Sequence, residues 1–199
     1  QSFDAALQAE PNYPAAQASR GRLLLATGQT AAALTDLAAS LSTLPLTSTR
    51  ASYIEALWAA GRDADAKEEL TRLAREGERE DPRTLALFYA THDLEHARAV
   101  ELARREVDAR PDIFSQDALA WALYRDGQID AAWTAIQAAT KLGTKDPRLL
   151  YHRGLIAARR DGKGEAIATL KLALAQSPRW DRREPDEARA ALARLGGAL

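Results

Sequence analysis

Apolar helical stretches alternate along this chain with short polar turns, and the alternation repeats at near-constant intervals. The turns are Ala-Thr-Gly-Gln, Ala-Ala-Gly-Arg, Ala-Thr-His-Asp, Arg-Asp-Gly-Gln and Arg-Arg-Asp-Gly, at 26–29, 59–62, 90–93, 125–128 and 159–162. A small residue follows each turn, at Ala33, Ala66, Ala97, Ala132 and Ala166, with spacings of 33, 31, 35 and 34 residues. A period close to 34 with two helices per unit predicts a protein built from stacked helix pairs.

Prolines mark the same units independently. Each second helix is followed by a proline, at Pro45, Pro82, Pro111, Pro147 or Pro178, because proline lacks an amide donor and clashes inside a helix. Asp81 and Asp146 each precede a proline and are predicted to cap the helix that follows. The predicted helices span 14–27, 30–42, 48–60, 63–77, 82–91, 93–109, 112–126, 129–142, 147–160, 163–176 and 185–195. Valine and isoleucine are scarce while alanine, leucine and arginine abound, which favours an all-α fold.

Two of the units match a known repeat in detail. Residues 17–45 carry Gly21, Leu24, Gly28, Ala33, Leu37, Leu41 and Pro45, and residues 150–178 carry Gly154, Ala166, Leu170, Ala173, Leu174 and Pro178. The chain therefore resembles the tetratricopeptide-repeat (TPR) family over nearly its whole length. The resemblance implies a right-handed α-solenoid of about five TPR-like helix pairs with a C-terminal capping helix.

The repeat boundaries follow from the same alignment. We expect one domain over 1–199, with repeats at 14–47, 48–81, 82–111, 112–146 and 147–178, a remnant of an earlier repeat at 1–11, and a cap at 179–199. The third unit departs from the family pattern, with Leu85 where glycine is usual and His92 in its turn. The chain starts inside a repeat and without methionine, so we expect it to be part of a longer, bacterial protein.

The resemblance implies a scaffold that binds a partner peptide or helix in a concave groove lined by the first helix of each repeat. The residues expected to line that groove are Arg22, Glu55, Trp58, Tyr89, Asp117, Trp121, Tyr124, Arg125, Tyr151, His152 and Arg159. Trp121 is the expected aromatic anchor, with core packing between repeats as the alternative. Chaperone-binding TPR domains clamp a peptide carboxylate with lysine, arginine and asparagine side chains. The resemblance places Ala18, Arg22, Ser48 and Ser52 at the corresponding positions, so we expect that clamp to be absent.

Catalytic motifs are weak. His92 and His96 flank Asp93 in a pattern that resembles a zinc-protease helix, but the repeat places His92 in a turn and predicts Asp93 as a helix cap. The segment 162–164, Gly-Lys-Gly, lacks the preceding strand and spacing of a phosphate-binding loop. The sequence thus predicts no enzyme, no metal and no cofactor.

Charge and composition limit the partners. The formal net charge of −1 argues against general nucleic-acid binding, and no apolar run reaches the roughly 18 residues of a membrane span. Residues 148–199 carry 11 basic and 6 acidic side chains, which suits either an acidic partner or a solvated surface. Without cysteine the compartment stays open: cytoplasmic, or periplasmic or exported if a signal peptide lies upstream. Self-association into a homo-oligomer and regulation of an attached domain are the alternative functions.

Overall fold

The computed structural model describes residues 2–197 of the chain. Within this range it contains twelve α-helices and no β-strand. The helices are α1 (Ser2–Ala9), α2 (Pro14–Ala26), α3 (Thr30–Thr43), α4 (Thr47–Ala59), α5 (Asp63–Glu80), α6 (Pro82–Thr91), α7 (His96–Ala109), α8 (Ile113–Arg125), α9 (Ile129–Thr140), α10 (Pro147–Arg159), α11 (Lys163–Gln176) and α12 (Glu184–Arg194). The all-α repeat fold predicted from the sequence is confirmed.

The chain forms two compact units, with the boundary between Thr84 and Leu85. We call α2, α4, α6, α8 and α10 the first helices, and α3, α5, α7, α9 and α11 the second helices. In the first unit α2 packs on α3, α4 on α5, and α3 on α4. In the second unit α8 packs on α9 and α10 on α11, while α7 contacts α8 and α9 contacts α10. Successive helices therefore pack as hairpins within each unit.

Aspartate and proline start several helices, as the sequence predicts. Asp146 accepts hydrogen bonds from the backbone amides of Arg148 and Leu149, at 2.9 and 3.1 Å, and Pro147 is the first residue of α10. Asp81 accepts from the amide of Thr84 at 3.1 Å in the same way. These carboxylates satisfy amides that would otherwise lack a partner in the first helical turn.

One turn geometry ends every first helix. The turn residue has a positive φ, and the next amide donates to the carbonyl five residues back, as in Gln29 to Leu24 at 2.8 Å and Gln128 to Leu123 at 2.9 Å. Glycine supplies the positive φ in three turns, whereas Asp93 and Asp161 supply it in the other two. The same bond recurs after α12, where α12 packs on α10 and α11 as the predicted capping helix.

The alanine register is confirmed in four units and wrong in the third. Ala33, Ala66, Ala132 and Ala166 are all fully buried. Ala97 is exposed, and Ala99 takes its place with no exposed surface. The buried alanines are therefore spaced by 33, 33, 33 and 34 residues.

The cause of the shift is an extra residue in the third turn. Glu95, with φ of 41°, separates the turn from α7, which begins at His96 and not at 93. The predicted N-cap role of Asp93 is therefore wrong, because this residue itself holds the positive-φ place of the turn. Its carboxylate instead contacts His96 Nε2 at 2.9 Å.

Glycine allows the closest helix contacts inside both units. A Cβ atom on Gly21 would lie 2.7 Å from Cγ of Leu37, and one on Gly154 would lie 2.6 Å from Cγ of Leu170. Both distances are shorter than real side chains tolerate, so first and second helices approach closely only because a side chain is missing there.

No helix in the described part of the chain is both long and apolar enough to cross a membrane.

Candidate partner-binding surface

The expected groove residues of the second unit form one cluster, but much of it is interior. Asp117 and Trp121 on α8 are 2% and 1% exposed, and Tyr151 and His152 on α10 are fully buried. Tyr89 on α6 is 8% exposed. The expectation that these five side chains line an open groove is wrong.

Stacking between first helices explains why Trp121 is buried. Its indole lies parallel to the His152 ring, with centroids 4.1 Å apart, and to the Tyr124 ring at 5.1 Å. Its Nε1 donates to Oγ1 of Thr91, the last residue of α6, at 3.1 Å. Trp121 therefore joins three successive first helices, as the core-packing alternative predicted.

A buried polar pair strengthens the same contact. Nδ1 of His152 and Oδ1 of Asp117 are hydrogen-bonded at 2.8 Å between α10 and α8. Because both residues are buried, neither can reach a substrate in solution. We name Asp117, Trp121, Tyr151 and His152 the buried seam, and its geometry indicates a structural role.

The C-terminal segment covers the other side of this seam. The Tyr151 hydroxyl donates to Glu187 on α12 at 2.6 Å, and its ring contacts that of Trp180. Trp180 Nε1 donates in turn to the buried carboxylate of Glu184 at 2.6 Å. Desolvation raises the pKa of Glu184 above its ordinary value, and the charge of Arg148 opposes that rise. Trp180 thus fills the space between α10 and α12.

The remaining expected groove residues stay accessible. In the first unit Arg22 is exposed, and Glu55 and Trp58 are half-buried. In the second unit Tyr124 and Arg125 are half-buried and Arg159 is exposed.

Arginine occupies the last position of three helices in the second unit. α8 ends at Arg125, α10 at Arg159 and α12 at Arg194. Each lies two residues before a turn residue with positive φ, and α8 packs on α10 as α10 does on α12. We name Tyr124, Arg159 and Arg194 the donor surface.

The charges of all three arginines act on the phenol of Tyr124. Burial raises its pKa above the ordinary value of 10.0, and the charges of Arg159, Arg125 and Arg194 lower it in part. Arg125 is already engaged, because it pairs with Asp93 at 2.5 Å and lies over the Trp121 ring at 5.5 Å. Arg159 and Arg194 form no ion pair with another described residue. Their charges act on the same phenol, on which the carboxylate of Glu187 acts in the opposite direction.

The prediction from the sequence missed Arg194 although a signal for it was present. A basic residue stands two positions before the turn residue in Arg125-Asp126-Gly127, in Arg159-Arg160-Asp161 and in Arg194-Leu195-Gly196. Aligning the capping helix with the first helices reveals this pattern.

Metal-ligand chemistry finds no support in the residues described. No group of three histidine, cysteine, aspartate or glutamate side chains lies close enough to hold an ion within 2–197. His92 packs on Phe88 with ring centroids 4.4 Å apart, and Gly162-Lys163-Gly164 lies at the start of α11.

Comparison with solved structures identifies the fold. A tetratricopeptide repeat protein from Parabacteroides merdae superposes with a TM-score of 0.67 and 15% identity, over 98% of this chain and 76% of that one. A thermophilic TPR protein of Thermus thermophilus gives 0.62 and 19%, over 90% and 99%. The Cut9-Hcn1 hetero-tetramer of the APC/C gives 0.55 and 17%, over 96% and 38%. No protein-family model matches the sequence, and no curated protein matches it. The chain has the TPR-like helical repeat fold.

Proposed function

We propose that this protein is an interaction scaffold that binds a partner peptide or helix on its first helices, without covalent chemistry. The observation that carries the proposal is the donor surface, where Tyr124, Arg159 and Arg194 offer hydrogen-bond donors that the fold does not use. Stacked helical repeats present extended surfaces that bind partners, and these donors lie on such a surface.

The buried seam supports binding over catalysis. His152 and Asp117 form a histidine–carboxylate pair that resembles a catalytic dyad, but both side chains are shielded from solvent. A general base must lie within hydrogen-bond reach of a substrate proton. Since this pair does not, it supports rigid placement of the first helices.

The comparison with assemblies points the same way. Cut9-Hcn1, which shares the fold, is a hetero-tetramer. A fold alone does not fix a function, so the proposal depends mainly on the surface residues.

Peptide selection on the whole chain tests the proposal. Peptides are selected from a displayed random library, and hydrogen–deuterium exchange then maps where they protect the protein. We expect protection on first helices such as α8 and α10, with little change on the second helices α9 and α11. Protection confined to α9 and α11, or a library that yields no binder, would contradict the proposal.

Light scattering measures the oligomeric state of the same sample and so distinguishes the scaffold from the alternative, a self-association module. A monomer that binds selected peptides supports the scaffold. A stable oligomer whose formation protects the first helices in the absence of any peptide would contradict it.

A further inference from the structure

We infer that the donor surface, Tyr124 with Arg159 and Arg194, binds carboxylate side chains of an acidic peptide segment in extended conformation. This inference rests on the proposed function and names the partner chemistry for the second unit.

The donors lie at the ends of neighbouring helices: Arg159 ends α10, Arg194 ends α12, and Tyr124 is the next-to-last residue of α8, while α10 packs on both α8 and α12. Neither the Tyr124 hydroxyl nor the guanidinium groups of Arg159 and Arg194 form a hydrogen bond or ion pair with another described residue. Both arginines act electrostatically on the tyrosine, as their effect on its pKa shows. Glu187 is the acidic group that also acts on this phenol, and it already accepts from Tyr151 at 2.6 Å.

Two other arginines of the same unit are instead paired within the protein. Arg153 donates to Glu165 at 2.5 Å and to Thr140 at 2.7 Å, and Arg148 donates to Glu184 at 3.3 Å. Those guanidiniums are neutralised by the protein itself. A guanidinium and a phenol each donate well to a carboxylate, and charge-assisted bonds of this kind are the strong ones.

Repeat geometry sets the spacing of the ligand groups. Arg159 and Arg194 end adjacent helices, and packed helices have axes roughly 8–10 Å apart. A peptide in the extended polyproline II conformation advances about 3.1 Å per residue with three residues per turn, so carboxylates three residues apart lie on one face and match this spacing. We therefore expect a Glu-x-x-Glu pattern to bind better than adjacent glutamates.

Helix stabilisation is the competing explanation of the arginines. A basic side chain in the last helical turn interacts favourably with the helix dipole, and all three arginines stand there. In that case removing them lowers the melting temperature without changing the affinity for any peptide.

Fluorescence anisotropy of the whole chain with a defined probe tests the inference. The probe is a labelled nonapeptide of three Glu-Ser-Gly units, compared at about 0.15 M salt with its glutamine version and with an isomer whose glutamates are adjacent. We expect the probe to bind about tenfold more tightly than the glutamine version. Equal affinity for the glutamate and glutamine peptides, or a preference for the adjacent isomer, would overturn the inference.

Charge reversal locates the site. Arg159→Glu with Arg194→Glu should weaken probe binding about tenfold, whereas Lys141→Glu with Lys171→Glu, an equal charge change on exposed lysines of the same unit, should alter it less than about twofold. Equal losses in both double variants indicate a nonspecific charge effect and contradict the inference. If the reversed arginines impair folding, as circular dichroism would show, the milder pair Arg159→Gln and Arg194→Gln replaces them and must still weaken binding.

A failure of the acidic-peptide inference can be distinguished from a failure of the scaffold proposal. Selected peptides that protect the first helices but bind the charge-reversed variant normally would refute the acidic-peptide inference and leave the scaffold intact.

Discussion

The two units use one backbone plan and fill it differently. In each first helix, the residue seven positions before the amide donor of the turn hydrogen bond can be compared. The first unit has Arg22 and Glu55 there, and the second has Trp121 in α8, with the half-buried Leu87 and Leu155 in α6 and α10. Arg22 is exposed and Glu55 is half-buried, whereas Trp121 is 1% exposed. The position along the helix is the same, so exposure there depends on which side chains of neighbouring helices lie across it.

The helix ends differ as well. The first helices of the first unit end in Ala26 and Ala59, while those of the second unit end in arginine from α8 onward. The first unit instead has ion pairs between its paired helices. Arg20 contacts Asp36 at 2.6 Å, and Arg50 contacts Glu76 at 3.0 Å. Those arginines are paired within their unit, whereas Arg159 and Arg194 form no ion pair with a described residue, and we therefore place the acidic-peptide site in the second unit.

The largest expected effect separates the two tryptophans that the sequence treats alike. Trp121→Ala should lower the free energy of unfolding by roughly 3–5 kcal/mol, because it removes the stack on His152 and the bond to Thr91. Trp58→Ala, on the half-buried tryptophan of α4, should cost no more than about 2 kcal/mol. Urea denaturation measures the free energy of unfolding of both variants. An equal loss in the two would contradict the distinction between the buried Trp121 and the half-buried Trp58.

A smaller effect tests the helix frame that both units share. Ala99→Leu should overpack the contact made by α7 and cost roughly 1–3 kcal/mol, as a leucine at Ala132 should in the next repeat. The matched control is Ala97→Leu, at an exposed position two residues earlier, which should stay within about 0.5 kcal/mol of the parent. A larger loss at Ala97 than at Ala99 in thermal melts would restore the register expected from the sequence.

The sequence predicted the helical frame well because alanine spacing and proline breaks have direct steric causes. It failed at the third turn, since Asp93 replaces the usual glycine and Glu95 adds a residue that no spacing rule reveals. It also failed at Trp121. Helical periodicity identifies the face of α8 on which Trp121 lies. The groups that bury Trp121 are Thr91 of α6 and His152 of α10, and packing between repeats decides how closely they approach it.

The smallest expected effect concerns the capping helix, which has no counterpart in the first unit. Burial raises the pKa of Glu184 above 4.5, so the folded state binds a proton more tightly than the unfolded chain does. Stability should therefore fall as pH rises from about 4.5 through the raised pKa.

Glu184→Gln isolates this contribution. The variant cannot ionise at this position, so its urea midpoint minus that of the parent should grow with pH across the same window. A difference that stays constant between pH 4.5 and 7, or that shrinks as pH rises, would contradict a raised pKa at Glu184.

The division of the second unit into a buried seam and a donor surface is tested most directly by arginine side-chain NMR of the unmodified protein, titrated with the Glu-Ser-Gly probe. The Nε–H resonances of Arg159 and Arg194 should shift, while that of Arg153, already paired with Glu165, and the indole N–H of Trp121 should not. Shifts at Trp121 and Arg153 with none at Arg159 and Arg194 would contradict the assignment of binding to the donor surface.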